Sequence, residues 1–196
     1  MGISVKQTEA FRLFDEANRK DPNSEVFEGK PYPKELLYAQ RMTKTLDAFA
    51  PNASEALQLT ARCQHICRWE IPRDSYEMNR TGYLKWRQDL KKFHAQKSRE
   101  LLEAAGYGNY LIAQVEFLLL KKQLKKNEET QTLEDVICLV FLDYYFEPFA
   151  AKHEEAKVID ILQKTWRKMS EKGQQAVLKL SFSEKSMHLI QRAITA

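Results

Sequence analysis

Apolar residues recur at spacings of three and four along nearly the whole of this chain, and proline or glycine cuts the runs at Pro33, Pro51, Pro72, Gly106 and Gly173. That period belongs to amphipathic helices, not to the two-residue alternation of half-buried strands. It predicts helices over about 3–19, 33–49, 52–70, 83–104, 109–126 and 133–149. A further helix holds EEAKVIDILQKTWRKMSEK as far as Gly173, and two short ones finish the chain. Pro33 suits a first helical turn, and Asn52 with Glu55 has the spacing of a capping box. The segment KDPNSEVFEGKPYP reads as irregular. No strand alternation, repeat or long linker is visible. The expected architecture is an all-α, single-domain helical bundle of about seven to nine helices over residues 1–196.

A chain of 196 residues with 43% hydrophobic content can build its core without disulfides. Cys63, Cys67 and Cys138 are odd in number, and the first two are four apart rather than in the C-x-x-C spacing of zinc or redox sites. They read as reduced, buried thiols of an intracellular protein. The charged amphipathic start MGISVKQTEAFRLFDEANRK is no signal peptide, and Gln7 stands where N-myristoylation at Gly2 would favour Ser or Thr. The longest apolar run, VICLVFL, falls far short of the ~18 residues of a membrane span. The expectation is a cytoplasmic protein with no membrane partner.

A net charge of +4 argues little by itself, but five of the eleven arginines, Arg62, Arg68, Arg73, Arg80 and Arg87, lie between positions 62 and 87. The guanidinium fork suits phosphate or carboxylate. In ARCQHICRWEIPR, helical spacing puts Arg62, His65 and Trp69 on one face with Arg68 beside it. That face is either an anion or metal site walled by an aromatic ring, or a core histidine with arginines at its rim. In GYLKWRQDLKKFHAQK, a single stripe carries Tyr83, Arg87, Leu90, His94 and Lys97, which is costly to bury unless something negative lies opposite. Lys91 and Lys92 fall off the stripe and read as solvated. In TLEDVICLVFLDYYF, apolar nearly all round, Glu134 and Asp135 stand at the entrance of a central helix. They either complement the helix dipole, with Thr132 as cap, or serve as metal-binding carboxylates. Asn18 in ANRKDP is a further candidate for the site. Lys121, Lys122, Lys125 and Lys126 form a solvated face or, with Trp69, Tyr76, Tyr83 and Trp86 as stacking platforms, a surface for RNA.

Three of these helices resemble the HD superfamily of all-α metal-dependent phosphohydrolases. Arg62–His65 is similar to its Arg-x-x-His element, His94 to the start of its His-Asp pair, and Asp135 to its final aspartate. Ala95 departs from the pattern at the aspartate of the pair. A resemblance over almost the whole chain is carried by ANRKDP, PKELLYAQRM, ARCQHICRWEIPR, GYLKWRQDLKKFHAQK, QTLEDVICLVFL and KTWRKMSEKG. These runs resemble domain-of-unknown-function family 4202, whose members look like small intracellular proteins. Asn127 stands where that family has an aspartate, so it is not carried over as a ligand. Some members bear a glutamyl-tRNA synthetase label. Here it has no support: no nucleotide-binding α/β pattern is present, and KMSEKG lies on a helix end.

The leading expectation is therefore an HD-like metal-dependent hydrolase, or a relative of one, acting on a small phosphorylated or otherwise anionic metabolite. His65, His94 and Asp135 would hold one divalent transition metal. Arg62, Arg68, Trp69, Arg73, Arg80, Arg87 and Asn18 would bind the substrate, and Asp135, Glu134 and Lys97 are the catalytic candidates. The alternative is a non-catalytic RNA- or nucleotide-binding module using the same surface without metal. A protein-interaction module, with its arginines turned outward, is a third.

Overall fold

Ser4 Oγ accepts the Gln7 amide at 3.1 Å and opens the first helix, α1 (Val5–Asn18). The computed structural model describes residues 4–195. Gly2, and Ile3 at the expected start of the first helix, lie outside them. The segment read as irregular holds an antiparallel hairpin, β1 (Ser24–Phe27) and β2 (Lys30–Pro33), with Val26 opposite Pro31. Its two central residues, Glu28 and Gly29, take φ of 51° and 77°. A two-residue turn whose twist matches its strands needs that left-handed geometry. Each strand is four residues long and β2 contains two prolines, so no alternation stands out in the sequence. Asp21 ties the hairpin to the next helix: its Oδ1 accepts the Asn23 amide and its Oδ2 the Glu35 amide, each at 2.9 Å. This bond sets the first turn of α2 (Lys34–Phe49).

Ser54, not Asn52, caps α3 (Glu55–Cys63), accepting the Leu57 amide at 3.1 Å. The helix stops well short of Glu70. Beyond it the chain turns, with Cys67 left-handed at φ 50° and its amide held by Asn18 Oδ1 at 3.0 Å. Two short 3-10 turns follow, Arg68–Glu70 and Arg73–Ser75. Asn79 accepts the Gly82 amide at 2.8 Å and opens α4 (Arg80–Ala104) earlier than expected. Then α5 (Asn109–Leu119) ends short of the lysine run, where Lys121, Gln123 and Lys125 have positive φ. Asn127, not Thr132, caps α6 (Glu128–Val140). A π-turn (Phe141–Tyr145) leads to α7 (Phe146–Ala150), followed by α8 (Glu155–Lys168), α9 (Glu171–Val177) and α10 (Glu184–Thr195). The chain is all-α apart from the hairpin, with ten α-helices among the described residues.

Contacts group the chain into two compact units. The first runs to Asp47 and continues over Asn52–Lys122; its core gathers Phe14, Leu59, Cys63, Ile66, Leu102, Ile112 and Val115. The second takes Ala48–Pro51 and the chain from Gln123, around Leu139, Leu142, Phe146, Val158, Leu162, Val177 and Ile190. Cys63, Cys67 and Cys138 are free and buried. Among the described residues no helix is long and apolar enough to cross a membrane.

Candidate anion site

The end of α3 at Cys63 separates two residues that a longer helix would have kept on one face. Arg62, still helical, gives its fork to Asp15 on α1, at 2.8 and 2.6 Å, and lies over the Phe11 ring. It is an α1–α3 clamp inside the first unit. His65, in the turn beyond, goes elsewhere. Its ring stacks on Tyr38 of α2 with centroids 4.1 Å apart. Its Nε2 lies 3.0 Å from Arg68 Nη1, and its Nδ1 faces Glu35 Oε2 at 3.4 Å. A guanidinium only donates, so Nε2 is the acceptor and Nδ1 carries the proton toward Glu35. Arg68 is packed over Trp86 at 4.9 Å, with its Nε 3.9 Å from Glu35 Oε1. The indole is itself fixed by donating from Nε1 to the Ile71 carbonyl at 2.9 Å.

From α4, Arg87, Leu90, Lys91 and His94 come against this group, the two histidine rings 5.8 Å apart. With Gln64, Leu119 and Lys121 they line a cavity of about 20 Å³ with His65 and Arg68. Four cationic side chains thus share one small space. Burial, reinforced by Arg68 and Arg87, holds both histidines well below their usual range, so they are neutral. Glu35 is raised to about 7, because burial outweighs the pull of Arg68 and Lys34. Burial lowers Arg68 as well, with Glu35 opposing. Glu35 is the acid that faces Arg68 and His65 behind this cavity.

The remaining candidates are dispersed. Arg73 donates to the carbonyls of Tyr76, Glu77 and Asn79 and organises the loop before α4. Arg80 is exposed. Trp69 packs against the first core, and Asn18 holds the Cys67 amide. Lys97 lies 4.0 Å from Glu100 on its own helix. Glu134 and Asp135 belong to the second unit. Glu134 is buried with Lys168 Nζ at 4.0 Å. Asp135 accepts the Ser170 amide at 2.8 Å, the Ser170 hydroxyl at 2.5 Å and Gln131 Nε2 at 3.1 Å.

Two of the three expected metal ligands, His65 and Asp135, are engaged within their own units. The lone pair of His65 Nε2 is taken by Arg68, and Asp135 is committed to Ser170 and Gln131. Among the described residues no group of three or more His, Cys, Asp or Glu is placed to hold a metal ion.

Sequence reasoning missed Glu35, Tyr38 and Gln64; it read Lys91 as solvated and Lys121 as part of a solvated face or an RNA surface, and both line the cavity. Glu35 was legible in one respect: in PKELLYAQ it stands three before Tyr38, on the same helical face. Nothing local marks Lys121, which reaches the cavity only because α5 stops at Leu119.

Comparison with curated proteins finds no match. Comparison with solved structures finds none either. The family profile described as Domain of unknown function (DUF4202) matches residues 8–190, nearly the whole chain, and the chain belongs to that family.

Proposed function

We propose that this protein binds a small phosphate- or carboxylate-bearing metabolite at the Arg68 cavity. The observation that carries this reading is the lining: Arg68, Arg87, Lys91 and Lys121 converge where both histidines are neutral and the flanking acid is raised. Arg68 is preorganised for the task, lying over Trp86 and flanked by Glu35 and His65. At about 20 Å³ the cavity takes about one oxygen atom of such a ligand, and no polymer backbone enters it.

Calorimetric titration with inorganic phosphate and with small phosphate monoesters tests it. Binding is expected, and Arg68→Lys should weaken it roughly tenfold to hundredfold, because a planar charged fork is lost while the charge stays. The RNA-binding alternative predicts something else: affinity for a short RNA that falls steeply with salt and ignores the swap. Metal-dependent hydrolysis of the HD kind predicts stoichiometric metal in protein purified without a histidine tag, lost in His65→Ala. Either result would replace the present reading.

A further inference from the structure

Two polar atoms at this cavity are buried without a hydrogen-bond partner among the described residues, Gln64 Oε1 and His94 Nε2. Gln64 is 7% exposed and His94 5%. Leaving such groups unpaired is costly, and native proteins do it where something else completes the bond. Gln64 is the C-cap residue of α3, and His94 sits in the middle of α4. Arg68 does not serve them: its Nη1 goes to His65 Nε2, and neither atom receives a hydrogen bond from it.

The chemistry of the pair is restrictive. A carboxamide oxygen only accepts, and the cations beside it favour the oxygen end facing inward. Its missing partner must therefore be a donor. A carboxylate, or a phosphate monoester that has lost both protons, has no proton to give. A neutral imidazole can donate from Nε2. A hydroxyl fits both, donating to Gln64 Oε1 and accepting from His94 Nε2–H. The cavity, about 20 Å³, has room for about one such oxygen.

We infer that the ligand is a hydroxylated anion, its charged group held by Arg68 and Arg87 and a neighbouring hydroxyl read by Gln64 and His94. This deepens the anion-binding reading and rests on it. Polyol phosphates and hydroxy acids share this chemistry, and matched pairs of probes separate them.

The test titrates the full-length chain with glycerol phosphate against propyl phosphate, and with lactate against propionate. The hydroxylated member of at least one pair should bind about tenfold more tightly, and the pair with the larger ratio identifies the anionic group. Gln64→Leu should bring that ratio close to one. The wild-type ratio decides the matter even where the variant fails to fold. Equal binding within both pairs means that an internal water alone satisfies the two atoms; it overturns this inference and leaves the anion site standing. A ratio that Gln64→Leu leaves untouched, in a folded variant, also overturns it. No binding of any of the four probes removes the anion site, and this inference with it.

Discussion

Glu35 is 7% exposed, and burial raises its carboxyl to about 7 although Arg68 and Lys34 pull the other way. The folded chain therefore keeps a proton that the unfolded chain releases near 4.5. Stability from this group falls as pH rises from about 4.5 to about 7, by on the order of 3 kcal/mol in full. His65 and His94 act in the opposite direction. Their lowered values mean the unfolded chain takes protons first, so their contribution is lost as pH falls below about 6.5. Glu35→Gln should thus gain stability relative to the wild type as pH rises, read as the difference in urea midpoints at about pH 5 and pH 8. A difference that does not change with pH would show that Glu35 does not titrate in this range. Asp135 serves a different purpose, as its three accepted hydrogen bonds indicate. Asp135→Ala removes the acceptor for the Ser170 amide and for the hydroxyl that caps α9. The expected cost is about 2–3 kcal/mol, with phosphate affinity unchanged. Thermal melts and the same titration check the two halves. A lost affinity with intact stability would return Asp135 to the list of ligands.

At the scale of elements, α4 matters most, because it carries Arg87, Lys91 and His94 to the cavity. Its start is set by backbone contact. A Cβ on Gly82 would stand 2.1 Å from the Glu77 carbonyl oxygen, a distance only a main-chain shift can relieve. Gly82→Ala should therefore destabilise the chain by more than the ~1 kcal/mol that glycine to alanine normally returns in a helix, with the sign reversed. It should also weaken phosphate binding by displacing the first turns of α4. A thermal melt with no downward shift would contradict this. The existence of the helices was legible because their apolar period runs for many residues. Their ends were not. Asn52 and Ser54 can both cap, as can Asn127 and Thr132, and backbone geometry rather than residue type chooses between them. The early end of α3 had the largest consequence, since it took His65 off the face of Arg62 and brought it to Arg68.

For the whole chain, a net charge of +4 conceals how the cations are spent. Arg12 pairs with Glu9 and Glu16, Arg62 with Asp15, and Arg99 with Glu103 and Glu116. Of the arginine crowd between 62 and 87, Arg68 and Arg87 line the cavity and Arg62, Arg73 and Arg80 do not. Glu35 and Tyr38 come from α2 and Lys121 from the turn after α5, distant in sequence and joined only by folding, so periodicity could not assemble them. Every residue of the cavity lies in the first unit, as do Glu35, Tyr38 and Trp86 behind it. That unit has its own buried core across α1, α3, α4 and α5, and its length is typical of an independent domain. A chain ended after Lys122 should therefore remain helical, unfold in one cooperative transition and bind phosphate within about twofold of the full chain. Circular dichroism and the phosphate titration, run side by side, decide it. A helical fragment that no longer binds would mean that the second unit supplies part of the site.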